Sequence, residues 1–199
     1  LAGVLAAGNR AMIKPSEFTP ATAELLVEMI HEAYDEKEVA IFNGGAEVGQ
    51  AFSALPFDHM IFTGATSIAR HILAAASRNL VPVTLELGGK SPVVISRGAD
   101  LEKSIGRIML GKTLNAGQIC LAPDYLMVPE EKLQDVIEAA KAAVTNMYPS
   151  ILNNPSYTSV INERHFSRLN DYLAEAQERG QTIVPINPAD EDFGSQQGT

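Results

Sequence analysis

Short, β-rich apolar runs recur along this chain, most of them closed by proline or glycine and followed by residues at helical spacing, and this alternation limits the possible folds more than any other feature. Ala11 to Lys14 is such a run, and Pro15 bars it from continuing as a helix. Thr19 then suits a helix N-cap and Pro20 the first helical position, with Ala23, Leu26, Val27, Ile30 and Tyr34 falling on one face. Val39 to Phe42 predicts the next strand, which Gly44-Gly45 turns into a short helix. His59 to Thr63 ends at Gly64 and leads into a helix from about Thr66 to Arg78, before the β-rich segment Val81 to Leu87. Strands alternating with helices predict an α/β fold of parallel, doubly wound sheets.

After Gly88-Gly89 the pattern resumes with a strand at Val93 to Ile95 and a helix over Leu101 to Leu114, capped by Asp100. Tyr125 to Val128 reads as a strand, Pro129 starts a helix over Glu130 to Asn146, and Asn162 starts one that stops at Gly180. Thr182 to Pro185 is expected to be the last strand, and the tail from Asn187 is expected to be loose. The Gly88-Gly89 pair divides two α/β halves.

Charge narrows the functional classes. With 15 Lys and Arg against 24 Asp and Glu the formal charge is −9, so no basic face is on offer for nucleic acid or anionic lipid. A single cysteine permits no internal disulfide, and four widely spaced histidines suggest no metal motif, a usage that fits the cytoplasm. The run Leu1 to Gly8 is too short to span a bilayer, and a start at Leu inside an apolar run reads as a cut from something longer.

Several motifs carry chemistry. Lys14-Pro-Ser-Glu17 sets a cation and an anion at the end of a strand, where open α/β sheets bind ligands; read alone, a solvated turn before a capped helix is the simpler account. Gly64-Ala-Thr-Ser-Ile-Ala69 joins a strand to a helix whose N-terminal N–H groups suit a phosphate, although one glycine is equally a tight turn, and Gly45-Ala-Glu-Val-Gly49 is a weaker version of the same signal. A lone cysteine is by default a small buried apolar group. In Cys120 that default meets the polar loop Asn115-Ala-Gly-Gln118, which would expose the thiol beside backbone N–H donors. Glu86 ends an otherwise apolar strand, where a charge is costly unless paired or used; a satisfied structural carboxylate and a catalytic one remain open.

With Lys14-Pro-Ser-Glu17, Phe62-Thr-Gly64, Leu85-Glu-Leu-Gly-Gly-Lys90 and Gly117-Gln-Ile-Cys120 in this order, the chain resembles the aldehyde dehydrogenase superfamily. Pro82 to Pro92 and Cys120 to Tyr125 look most like the branch that holds the dimeric class-three enzymes and the coniferyl aldehyde dehydrogenases, and the resemblance runs on through Ile161 to Phe166. It implies that residues 1–86 are the rear of a Rossmann-like NAD(P)-binding domain and residues 87–199 the front of the catalytic domain. It also implies that Cys120 attacks an aldehyde, aromatic or long aliphatic, and that Glu86 activates the water that hydrolyses the resulting thioester. Lys14 and Glu17 would hold the adenosine ribose, with Gly45, Gly64, Ala65 and Leu87 along the rest of the cofactor. NAD is preferred to NADP because Glu17 would repel a 2′-phosphate. A homodimeric parent is implied, with no nucleic-acid, membrane or metal partner.

Two departures qualify the match. Many relatives have Ser where this chain has Ala65 and Gly where it has Ala69, which removes a hydroxyl contact to the pyrophosphate. The family's oxyanion asparagine and the glutamate that holds the nicotinamide ribose would lie before Leu1 and beyond Thr199, so the isolated chain is expected to be an inactive fragment. Two rivals stand beside this reading: a CoA-acylating dehydrogenase, against which Glu86 argues, and a non-catalytic binding or structural domain with Cys120 buried.

Overall fold

The computed structural model describes residues 1–195, and the chain forms two compact units, Leu1–Leu87 and Gly88–Thr199. In the first unit the order is α1 (Ala2–Ala6), β1 (Ala11–Ile13), α2 (Pro20–Ala33), β2 (Val39–Ile41), α3 (Ala46–Ser53), β3 (Met60–Thr63), α4 (Thr66–Ala76) and β4 (Val83–Glu86). Strand β1 pairs with β2, and β3 with β4, both in parallel. A parallel pair needs a crossover, which α2 supplies for the first and α4 for the second.

Each crossover helix closes its own small core. Val27 and Ile30 of α2 meet Val39 and Ile41 of β2, with Ile13 and Leu5 alongside. Val39 is wholly buried, and full burial of such a side chain is worth roughly 1.5–3 kcal/mol. Around β3 and β4, Met60, Ala76 and Val81 pack with Phe57 and Ile72.

The second unit runs β5 (Ser91–Val94), α5 (Leu101–Thr113), β6 (Pro123–Met127), α6 (Leu133–Met147) and α7 (Glu163–Glu178). Strands β5 and β6 are again parallel, with a register shift between Ser91 and Pro92, where proline brings no N–H to the ladder. Ile105 and Ile108 of α5, Val136 of α6 and Ile95 form the core. Two N-caps follow the sequence: Asp100 Oδ1 accepts from Lys103 N–H at 3.1 Å, and Asn162 Oδ1 from His165 N–H at 3.0 Å. Such a cap is typically worth about 1 kcal/mol.

The structure thus has the α/β character expected, with its strands hydrogen-bonded two at a time. Elsewhere it departs from the sequence reading. The N-terminal apolar run forms the short helix α1, which had no helical signature. Pro20 does open α2, but Thr19 gives it no side-chain cap; its hydroxyl donates to the Ser16 carbonyl at 3.4 Å. The helix after Pro129 begins as a 3-10 turn, Glu130–Lys132. Thr182 to Pro185 is not a strand, because among the described residues no neighbouring strand takes up its backbone groups. Nor are Asn187 to Glu191 loose: the Glu191 carboxylate accepts the N–H groups of Ile151 at 2.7 Å and Leu152 at 3.1 Å, and Asn187 and Glu191 bond each other through two further contacts. The last part of the expected loose tail, residues 196–199, lies outside the described residues.

Candidate active site

The parallel pairing of β1 and β2 brings the ends of both strands to one edge, and Lys14 follows directly from β1. Its ammonium donates to the Pro15 carbonyl at 2.8 Å, the Gly44 carbonyl at 3.0 Å and Glu17 Oε2 at 3.2 Å. The Lys14 side chain is 13% exposed and that of Glu17 39%, so the cation is sunk in the edge while the carboxylate faces out. Glu17's own backbone N–H, and then Lys14, hold its carboxyl below the usual carboxylate range. Pro15, Ser16, Glu17, Asn43 and Gly44 line a cleft of about 220 Å³ here. Gly44 has a φ of +153°, and a Cβ on it would strike the Val48 side chain, so only glycine fits this turn. Gly45 next to it is the N-cap of α3.

The second pair makes a similar edge. Gly64 N–H donates to the Glu86 carbonyl at 3.0 Å, extending the β3–β4 ladder past Thr63, and a Cβ on Gly64 would sit 2.6 Å from the Phe62 ring. Ala65 is the N-cap of α4 without a side-chain bond, so the first N–H groups of that helix are left to a ligand or solvent. These features fit the two ends of a dinucleotide: a cleft with polar walls beside a fixed cation, and an uncapped helix start behind a glycine. Glu86 is the last residue of β4, and Leu87 after it is half-buried. The strand alternates inward and outward, so Glu86 is exposed and forms no salt bridge among the described residues. That removes the argument from a costly buried charge.

In the second unit, α5 ends at Thr113, whose hydroxyl donates to the Met109 carbonyl at 2.8 Å. The chain then breaks helix by taking left-handed φ at Asn115 (52°), Ala116 (53°) and Gly117 (74°). Left-handed backbone costs a non-glycine residue roughly 1–2 kcal/mol, which Ala116 has no side-chain polarity to offset. The loop is therefore held from outside. Beyond it Ala122 N–H donates to the Ile119 carbonyl at 3.1 Å, a tight turn that leaves Cys120 and Leu121 exposed at its apex.

Gly89 backs the turn. A Cβ on Gly89 would fall on the Cys120 carbonyl oxygen, backbone that cannot swing aside, whereas a Cβ on Gly88 meets nothing within 4 Å. Gly89→Ala is accordingly expected to cost about 1–3 kcal/mol in a urea melt and to change the alkylation rate of Cys120, while Gly88→Ala stays within about 0.5 kcal/mol of the parent. Equal melts and equal alkylation for both variants would contradict this packing.

Lys14, Glu17 and Gly45 thus come together at one edge, as do Gly64, Ala65 and Glu86 at another, and Cys120 stands on an exposed turn of the second unit. Sequence reasoning missed Gly44 and Gly89 as contact positions; glycine pairs after strands were the signal. It also passed over Gln118, whose partners are distant in sequence. Among the described residues no group of His, Cys, Asp and Glu could hold a metal ion, and no helix is long and apolar enough to cross a membrane.

Comparison with known proteins bears on the chain as a whole. The model of the aldehyde dehydrogenase family matches residues 1–197. A probable coniferyl aldehyde dehydrogenase of Caulobacter vibrioides is 59% identical over 197 residues, covering 99% of this chain and 41% of that protein. A coniferyl aldehyde dehydrogenase of Pseudomonas is 58% identical over 194 residues, covering 98% of this chain and 40% of that protein. The structure of a Mycobacterium tuberculosis aldehyde dehydrogenase complexed with NAD+ superposes with a TM-score of 0.83 at 31% identity, over 93% of this chain and 39% of that one. The chain therefore spans about two-fifths of the length of the relatives it matches. On the family model, the relatives and the fold together, the chain belongs to the aldehyde dehydrogenase family.

Proposed function

We propose that the whole protein to which this chain contributes oxidises an aldehyde to the carboxylic acid with NAD(P)+, and that Cys120 is its nucleophile. The observation that carries the reading is the exposed Cys120 turn, braced by Gly89 behind it and by a loop of left-handed residues before it. Residues 1–86 serve as part of the cofactor domain and residues 87–199 as part of the catalytic domain. The preferred substrates are aromatic aldehydes of the coniferyl type, a choice supported by two relatives of that name, with long aliphatic aldehydes as the alternative.

In this reading the Cys120 thiolate adds to the aldehyde carbon, and backbone N–H groups of its turn stabilise the oxyanion. A bound nicotinamide supplies the acceptor for the hydride. Cys120 is left carrying a thioester, and Glu86, exposed to solvent, takes a proton from the water that hydrolyses it. Lys14 and Glu17 hold the adenosine ribose, Gly45, Gly64 and Ala65 leave room for the diphosphate, and Leu87 borders the nicotinamide end. NAD+ is favoured over NADP+ because the outward carboxylate of Glu17 would face a 2′-phosphate. The single exposed thiol suits a reducing compartment, and we place the enzyme in the cytoplasm as a homodimer.

The test is dinucleotide reduction by the whole protein with coniferyl aldehyde and decanal, each with NAD+ and NADP+. Coniferyl aldehyde with NAD+ is expected to give the highest kcat/KM, and no reduction with either aldehyde would refute the reading. Lys14→Met tests the cofactor edge separately. Losing a charged hydrogen-bond donor is typically worth about 1.5–3 kcal/mol, so NAD+ affinity measured by calorimetry should fall roughly 10- to 100-fold. An unchanged affinity would take Lys14 out of the site.

A further inference from the structure

We infer that Gln118 is a positioning residue for the Cys120 thiol, its carboxamide standing in for a peptide group between two separate segments. Gln118 Nε2 donates to the Ser159 carbonyl at 3.0 Å, and Gln118 Oε1 accepts from Ile161 N–H at 2.9 Å. One carbonyl and one N–H, two residues apart on the same segment, are what a parallel strand offers a neighbouring residue, and here a side chain takes the place of that neighbour. The second hydrogen of Nε2 reaches the Asn115 carbonyl at 3.0 Å, at the start of the left-handed run. Both donors of the amide are thus engaged, and one side chain ties the beginning of the thiol loop to residues 41 and 43 positions further along the chain.

The anchor is firm at its far end. Ile161 is followed by Asn162, the N-cap of α7, so the segment that Gln118 grips is the entry to a sixteen-residue helix. Within the loop, Asn115 Nδ2 donates to the Gln118 carbonyl at 3.3 Å and Gln118 N–H to the Asn115 carbonyl at 3.0 Å. Asn115, Ala116 and Gly117 all sit at positive φ, so the tie to Ser159 and Ile161 is what fixes this unfavourable run to the rest of the unit. Gln118 lies two residues before Cys120, and the turn bearing the thiol continues directly from it. A nucleophile must be held in register with its electrophile, and displacement by about 1 Å can cost about 10²-fold in rate. The inference rests on Cys120 being the nucleophile, and its structural half can be read without any turnover.

The experiment uses Gln118→Glu and Gln118→Met in the whole protein, beside Cys120→Ala. Glutamate keeps the shape but has no donor for the two carbonyls when ionised, and methionine fills similar volume with neither bond. Gln118→Met is expected to lose protection of the Ile161 amide in hydrogen exchange while α5 and α6 stay protected, whereas Gln118→Glu keeps an oxygen for Ile161 N–H and loses only the two bonds to carbonyls. Both should also lower kcat about 10²-fold with KM for the aldehyde within about threefold. A space-filling role would leave Gln118→Met at parent turnover, and that result overturns the inference. So does parent-like protection of Ile161 in Gln118→Met, whatever the activity. Full activity in Cys120→Ala would instead refute the nucleophile assignment, and the exchange data would still report whether the tie exists.

Discussion

Replacing Cys120 by Ala is expected to lower aldehyde-dependent NADH formation by the whole protein by on the order of 10⁴-fold or more, with NAD+ affinity within about twofold of the parent. The size follows from the role: without the thiol there is no covalent intermediate, and what remains is binding and oxyanion stabilisation. The sparing of cofactor affinity follows from the structure. Cys120 stands exposed at its turn, while Lys14, Glu17 and Gly64 are held by bonds within the first unit. Cys120→Ser should behave in the same way, because a hydroxyl is a far weaker nucleophile at neutral pH. Turnover within tenfold of the parent in either variant would remove Cys120 from the chemistry.

Glu86→Gln is expected to reduce steady-state turnover by about 10²- to 10⁴-fold while leaving the first burst of NADH close to one equivalent per site. In the proposed mechanism acylation of Cys120 does not call on Glu86, whereas hydrolysis of the thioester does. The substitution should be almost silent in stability. Glu86 is at the outward position of β4 and its backbone carbonyl, which Gln keeps, is what bonds Gly64. A variant with unchanged turnover would assign the water's activation to another group, and one that loses the burst as well would place Glu86 in the first half-reaction.

Much of the fold was legible because its signals are local. Asp100 and Asn162 cap their helices as their side chains suggest, and the glycine pairs fall where strands end. What escaped depends on residues far apart in the chain. Thr182 to Pro185 has strand-like composition, yet a strand exists only if a neighbour accepts its hydrogen bonds, and among the described residues Ile183 and Val184 find none. Asn187 to Glu191 reads as a loose tail until the Glu191 carboxylate is seen to bind the N–H groups of Ile151 and Leu152. The site divides in the same way. Exposure of Cys120 could be read from its polar loop, whereas the grip of Gln118 on Ser159 and Ile161 could not, since nothing in the loop names its partners. The burial argument for Glu86 failed because a strand of mostly apolar residues still turns alternate side chains, here Thr84 and Glu86, to solvent.

The central claim is that Cys120 carries the acyl group between oxidation and hydrolysis. Glu86→Gln should hold the enzyme at that stage, so the whole protein bearing this substitution is mixed with NAD+ and coniferyl aldehyde, quenched in acid and mapped by peptide mass. The account predicts that the peptide containing Cys120 gains the mass of the acyl group in step with the NADH burst, and that hydroxylamine removes it. A full burst with Cys120 unmodified, or with the acyl group on another residue, would contradict it.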